Sequence, residues 1–246
     1  MVSFTQKITH QIPGLKKGDV HVWRLALNGS IGQGQQAILS SNEIDKISRL
    51  RNQQHRAQAL LMRVQLRQLL SRYLGLNSNE IKFSYREYGK PYLADASLSF
   101  NVSDSGSQAL VAVSLTDELG VDIENWRTMA NLAGMVRRNF SANEQQQWLD
   151  VLDKHQEATF FDLWTRKEAF IKATGRGLGM GVARCGFSLL KPNDLLECPV
   201  EYGNPSEWSC VSLDVGERVS ASLVIRAQHC QPTLYTFEPE NLPTII

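Results

Sequence analysis

The chain lacks most of the features that mark a metal-thiolate protein, a secreted protein, a membrane protein or a nucleic-acid binder. Its four cysteines, Cys185, Cys198, Cys210 and Cys230, form no Cys-x-x-Cys pair, which argues against zinc. Widely spaced as they are, they fit free thiols in a reducing cytoplasm. Net charge is nearly absent, since 26 basic residues against 25 acidic ones leave +1. Bulk electrostatics therefore gives no drive toward nucleic acid or an anionic membrane, and any anion site must be local. No run approaches the roughly 20 apolar residues of a membrane span. The first residues, MVSFTQKITH, lack the apolar core of a signal peptide. The expectation is a cytoplasmic protein with no membrane and no nucleic-acid partner. There is no low-complexity segment, and no convincing sequence repeat.

What is present is ordinary globular material, 246 residues at 42% apolar, enough for one large domain or two small ones. It is organised around residues 164–178, WTRKEAFIKATGRGL. Glu168 and Lys172 are one helical turn apart, in a stripe continued by Trp164 and Ile171. Gly175 supplies the left-handed cap that stops this helix. Alone, such a pair is a surface ion pair contributing about 0.2–0.5 kcal/mol. The following TGRGLGMG lacks the Gly-Lys-Ser/Thr ending of a P-loop and follows a helix instead of preceding one.

Earlier in the chain, His21, Trp23, Leu25 and Leu27 alternate with their neighbours as a strand does. A long helix is expected from Ser41 or Asn42 to about Leu74, capped by one of those two residues and ended by Gly75. Its apolar stripe takes in Leu50, Ala57, Leu60, Leu61, Val64 and Leu69 or Leu70. It carries Arg49, Arg51, Arg56, Arg63, Arg67 and Arg72. Most are expected to form a solvated face, with one or two reaching an anion. Few aromatics stand near them to stack on bases, which weighs against an RNA reading.

Residues 81–93 read as a strand and a turn, with Gly89-Lys90-Pro91 as the turn. LSFNVSDSGSQALVAVSL reads as two strands around SDSGS, the second nearly all apolar as a buried strand is. Asp117-Glu118 is a polar break. GVDIENW then reads as a strand whose Asp122 and Glu124 project together, while Val121 and Ile123 face the other way. Two adjacent carboxylates repel unless a cation lies between them or one is protonated. Their all-oxygen character suits Mg2+. A linker helix over 129–140 follows, and Ser141 with Glu144 forms a capping box for a helix through Leu152. The organising helix is expected over 157–174. The tail suggests strands over 186–190, 208–215, 219–225 and 234–237.

Taken together, GKP, FNVSDS, GVDIE and WTRKEAFIKATGRGL stand in an order and spacing that resemble the 4′-phosphopantetheinyl transferases, specifically the larger single-chain, Sfp-type branch. Members of that family show GKP, FN-x-SHS, G-[IV]-D-x-E and W-x-x-KE-x-x-x-K. The likeness runs from about Leu50 to Gly179 and is poor beyond. It implies an α+β fold of two similar halves related by a pseudo-twofold axis, here residues 1–117 and 118–246, with the active site in the cleft between them. The implied reaction transfers the 4′-phosphopantetheine arm of coenzyme A to a serine of an apo acyl or peptidyl carrier protein, releasing adenosine 3′,5′-bisphosphate. A monomer is expected.

By the same resemblance Asp122, Glu124 and Glu168 match the family's Mg2+ ligands. Glu168 is also a candidate acceptor of the serine proton, and Lys172 is placed to stabilise leaving-group charge. Arg56, Lys90 with Pro91, Ser103 and Lys167 match positions at or near the coenzyme A phosphates. Asp104 stands where the family has a histidine that contacts the 3′-phosphate, and an ionised carboxylate cannot donate a hydrogen bond there. The alternative that this departure raises is a catalytically impaired homologue that still binds carrier proteins. Mass spectrometry of an apo carrier protein incubated with coenzyme A and Mg2+ separates the two.

Overall fold

Two helices of 22 residues carry the architecture, one in each half of the chain. The computed structural model describes residues 2–3, 12–94, 98–116, 118–191 and 193–239. The first half runs β1 (Val2–Ser3), β2 (Val20–Ala26), α1 (Gln33–Gln36), α2 (Ser41–Ser48) and α3 (Gln53–Leu74). Two hairpins follow, β3 (Phe83–Tyr85) with β4 (Pro91–Leu93), and β5 (Ser99–Ser105) with β6 (Gln108–Ser114). The second half opens with β7 (Leu119–Asn125), α4 (Leu132–Asn139), α5 (Ala142–Trp148) and α6 (Asp153–Thr174). It closes with β8 (Gly186–Phe187), β9 (Leu195–Glu197), β10 (Ser209–Asp214), β11 (Val219–Ile225) and β12 (Thr233–Thr236).

Each long helix follows a short one opened by a capping box. Ser40 and Glu43 exchange side-chain-to-backbone hydrogen bonds at the start of α2, and Ser141 and Glu144 do the same at α5. The helix expected to run unbroken from Ser41 or Asn42 is therefore two helices, and its first cap is Ser40. The break falls at Asn52, whose side chain accepts from the Gln54 and His55 amides and so starts α3 afresh. Leu50 and Ala57, expected on the buried stripe, are exposed, and Leu66 is buried instead. Both long helices end on a left-handed glycine, Gly75 at φ 65° and Gly175 at φ 71°. The linker helix is shorter than expected, and α5 stops at Trp148.

The strands form two four-stranded sheets, ordered β12-β2-β6-β5 and β1-β10-β11-β7, with two small hairpin sheets beside them. Each large sheet packs its own long helix on one face and the other sheet on the opposite face. Trp23, Leu25, Val111 and Val113 meet Leu66, Leu69 and Leu70 of α3. Cys210 and Val224 meet Phe170 and Ala173 of α6. Val20, Val22, Leu110 and Ala112 of the first sheet share a third core with Leu119, Val121, Ile123, Ala221 and Leu223 of the second. The terminal strands cross the expected division at residue 117: β12 runs parallel to β2, and β1 runs parallel to β10. Asp117 itself lies outside the described residues.

The halves repeat each other more than their sequences suggest. Arg67 holds the same place in α3 as Lys167 does in α6. Each buries its cation against the capping-box glutamate of the short helix before it, Arg67 on Glu43 and Lys167 on Glu144. Arg67 also donates to the Ser78 and Ile81 carbonyls, so it is not part of a solvated arginine face.

Candidate active site

Strand β7 sorts its residues by alternation. Leu119, Val121 and Ile123 enter the shared core, and Gly120, Asp122 and Glu124 face α6. The strand lies so close to the helix that a Cβ at Gly120 would stand 2.0 Å from the Ala169 carbonyl oxygen and 2.5 Å from the Ala173 nitrogen. Glycine at this position is what permits the approach. The approach brings Asp122 to Lys172 of α6, whose Nζ donates to Asp122 Oδ1 at 2.7 Å.

The partner of β7 across the cleft is β5. These are the facing edge strands of the two sheets, and they are joined by alternate side chains of FNVSDS. Asn101 Oδ1 accepts from the Val121 amide at 2.9 Å. Ser103 Oγ donates to Asp122 Oδ1 at 2.7 Å and accepts from Lys172 Nζ at 2.7 Å. Ser105 Oγ accepts from the Asn125 amide at 3.0 Å and reaches Glu124 at 3.5 Å. Asn101, Ser105 and Gly120 had no assigned role in the sequence. The period-two spacing of Asn101, Ser103 and Ser105 on a strand was the signal available.

Burial raises the Glu168 pKa from 4.5 to about 7, aided by the charges of Asp122 and Glu124 and opposed by Lys172. Glu124 accepts from Arg127 Nη1 at 3.0 Å. Asp122 Oδ2 is buried without a hydrogen-bond partner. Among the described residues, no group of three or more His, Cys, Asp or Glu side chains stands close enough to hold a metal ion, and the ammonium of Lys172 stands against Asp122. The donor set still fits a hard cation. It is all oxygen, one buried carboxylate oxygen has no partner, and burial, aided by the neighbouring carboxylates, holds Glu168 toward its neutral form.

The other expected residues divide. Asp104 alternates with Ser103 along β5 and is an exposed residue of the strand. Desolvation by the surrounding protein raises its pKa, Lys172 and His55 act to lower it, and Asp122 acts to raise it. His55 and Arg56 lie in the first turn of α3, Arg56 half-buried. Lys90 Nζ donates to the Leu119 carbonyl at 2.9 Å and the Ala173 carbonyl at 3.3 Å. It thereby ties the GKP hairpin to the start of β7 and the end of α6. Pro91 opens β4, opposite Tyr85. Lys167, expected at or near the coenzyme A phosphates, lies in the interior. It is 0% exposed and its Nζ is held by Glu144 at 2.7 Å and by the Cys185 carbonyl. The capping box at Ser141 was visible in the sequence, but a cap gives no hint that its glutamate also neutralises a buried lysine.

Known proteins share this chain's two halves. The family model for the 4′-phosphopantetheinyl transferase superfamily matches residues 118–224, and the one for the 4′-phosphopantetheinyl transferase N-terminal region matches residues 33–116. The 4′-phosphopantetheinyl transferase HetI of Nostoc sp. is 31% identical over 230 residues, covering 91% of this chain and 94% of HetI. The chain belongs to the 4′-phosphopantetheinyl transferase family. Two Bacillus subtilis members of the family, Sfp and ffp, are 32% and 35% identical over 145 and 148 residues. Each alignment covers 58% of the present transferase and 63% of the relative. The transferase fold thus has its N-terminal and C-terminal family regions on either side of the β5–β7 seam.

Proposed function

We propose that this transferase moves the 4′-phosphopantetheine arm of coenzyme A to a serine hydroxyl of an apo acyl or peptidyl carrier protein, and that Asp122, Glu124 and Glu168 hold Mg2+ for the reaction. The observation that carries the reading is the meeting of Asp122, Glu168 and Lys172 between β7 and α6, with Asp122 Oδ2 left without a partner. Bound there, the ion would neutralise pyrophosphate oxygens and stabilise the departing adenosine 3′,5′-bisphosphate.

The chain's own groups do the rest. Glu168, beside the metal, takes the serine proton directly or through a water as the hydroxyl attacks phosphorus. Lys172 supplies positive charge where the leaving group gains negative charge. Ser103 aims that lysine through its hydrogen bond. Lys90 holds β7 and α6 in register, and Arg56 and Asp104 flank the coenzyme A side. Four free cysteines support a cytoplasmic setting. No helix of the described residues is long and apolar enough to cross a membrane. The near-neutral charge supports the absence of a nucleic-acid partner, and a monomer with two family regions in one chain suffices for the cleft. The impaired-homologue reading has only Asp104 behind it.

Mass spectrometry of a panel of apo carrier proteins incubated with coenzyme A tests the proposal. The wild-type protein should add one phosphopantetheine arm in the presence of Mg2+ and none with a chelator. Asp122→Ala should slow the transfer by roughly a hundredfold or more. No mass gain on any carrier would reject the activity. Near-normal Mg2+-dependent turnover by Asp122→Ala would reject the site.

A further inference from the structure

We propose that Lys172 is the built-in counter-ion of the acid cluster, and that a divalent cation loads by displacing its ammonium from Asp122, which releases the lysine toward the substrate's phosphates. The inference rests on the Mg2+ reading above and adds an order of events to it. Two independent observations support it. Lys172 Nζ lies 2.7 Å from Asp122 Oδ1 and 2.7 Å from Ser103 Oγ, so its charge is spent on the protein itself. The remaining Asp122 oxygen is buried and has no partner, as half of a carboxylate kept for another ligand would be.

An ammonium and a divalent ion on one carboxylate repel each other strongly at contact distance in a partly desolvated cleft. One of them must withdraw, and the lysine has the means. Its side chain is 28% exposed, against 6% for Asp122, and it has a flexible four-carbon stem in the last turn of α6. Ser103 holds the resting position from the other half of the molecule by accepting from Nζ while donating to Asp122. The same lysine thus neutralises the acids before the metal arrives and faces the phosphates after it.

Calorimetric titration of Mn2+ into the metal-free full chain, without coenzyme A, tests the displacement directly. Lys172→Met and Lys172→Gln should each bind Mn2+ about tenfold more tightly than wild type, or tighter, because the competing charge is gone. Asp122→Asn should bind much more weakly. If Asp122→Asn weakens binding but both lysine variants match wild type or bind less well, the displacement is overturned and the metal site stands. If no protein binds Mn2+, or Asp122→Asn binds as wild type does, both the displacement and the metal assignment are overturned.

Discussion

Lys167 and Lys172 are neighbours on α6 and have opposite fates. Lys172 turns to the cleft, and Lys167 turns inward to α5 and β8. Glu144, its partner, is fully buried as well. That carboxylate also accepts from the Ser141 amide at 2.7 Å and the Phe187 amide at 2.8 Å. Its three contacts join a helix cap, the active-site helix and the segment after it. Removing the lysine strands a buried negative charge, which costs about 3–5 kcal/mol. Lys167→Ala should therefore lower the urea midpoint sharply. A variant of wild-type stability with a raised KM for coenzyme A would instead restore Lys167 to the phosphate site.

At the scale of elements, the site depends on how closely β7 lies on α6. Gly120 is where the two backbones meet, and no side chain fits between them. Gly120→Ala should push the strand away, cost about 1–3 kcal/mol as overpacking does, and part Asp122 from Lys172 and Glu168. Thermal unfolding reads the first effect and transfer rate the second. A Gly120→Ala protein with unchanged melting and turnover would mean that the approach is not needed. The seam has a related logic. Asn101 and Ser105 supply side-chain acceptors to amides on the free edge of β7, which would otherwise be left without partners where the two sheets meet.

At the scale of the molecule, the buried carboxyl of Glu168 makes stability depend on pH. In the folded chain Glu168 titrates at about 7 instead of 4.5, chiefly through burial, with Asp122 and Glu124 adding and Lys172 opposing. Between those two values the unfolded chain has lost a proton that the folded chain keeps. Stability from this group is therefore full below pH 4.5, falls as pH rises toward 7 and levels off above it. Glu168→Gln removes the cost of ionisation. In metal-free buffer it should raise the melting temperature by several degrees at pH 8 and change it little at pH 5. Equal gains at both pH values would show that the carboxylate is not held toward its neutral form. The crossing terminal strands add a second global feature, since β12 covers β2 and stacks Tyr235 on Trp23 at 4.6 Å. Unfolding either half therefore exposes the other.

The sequence by itself determined whatever local chemistry dictates. Gly75 and Gly175 end their helices because only glycine takes that backbone cheaply. Ser141 starts one because its hydroxyl meets an orphan amide. Alternation along GVDIE puts Asp122 and Glu124 on one face, and helical spacing puts Glu168 and Lys172 on another. Tertiary structure decided what contact across the chain controls. The repeat of the halves was hidden because burial conserves geometry and charge sign, so an arginine in one half and a lysine in the other serve the same function. The fate of Lys167 was hidden because a helix shows its neighbours in sequence, while Glu144 reaches it from another element. The pairing of Asp122 with Lys172 depends on the absent side chain of Gly120 and on Ser103 from the opposite half. No reading of either segment alone contains that distance, because it is set where two sheets and a helix pack together.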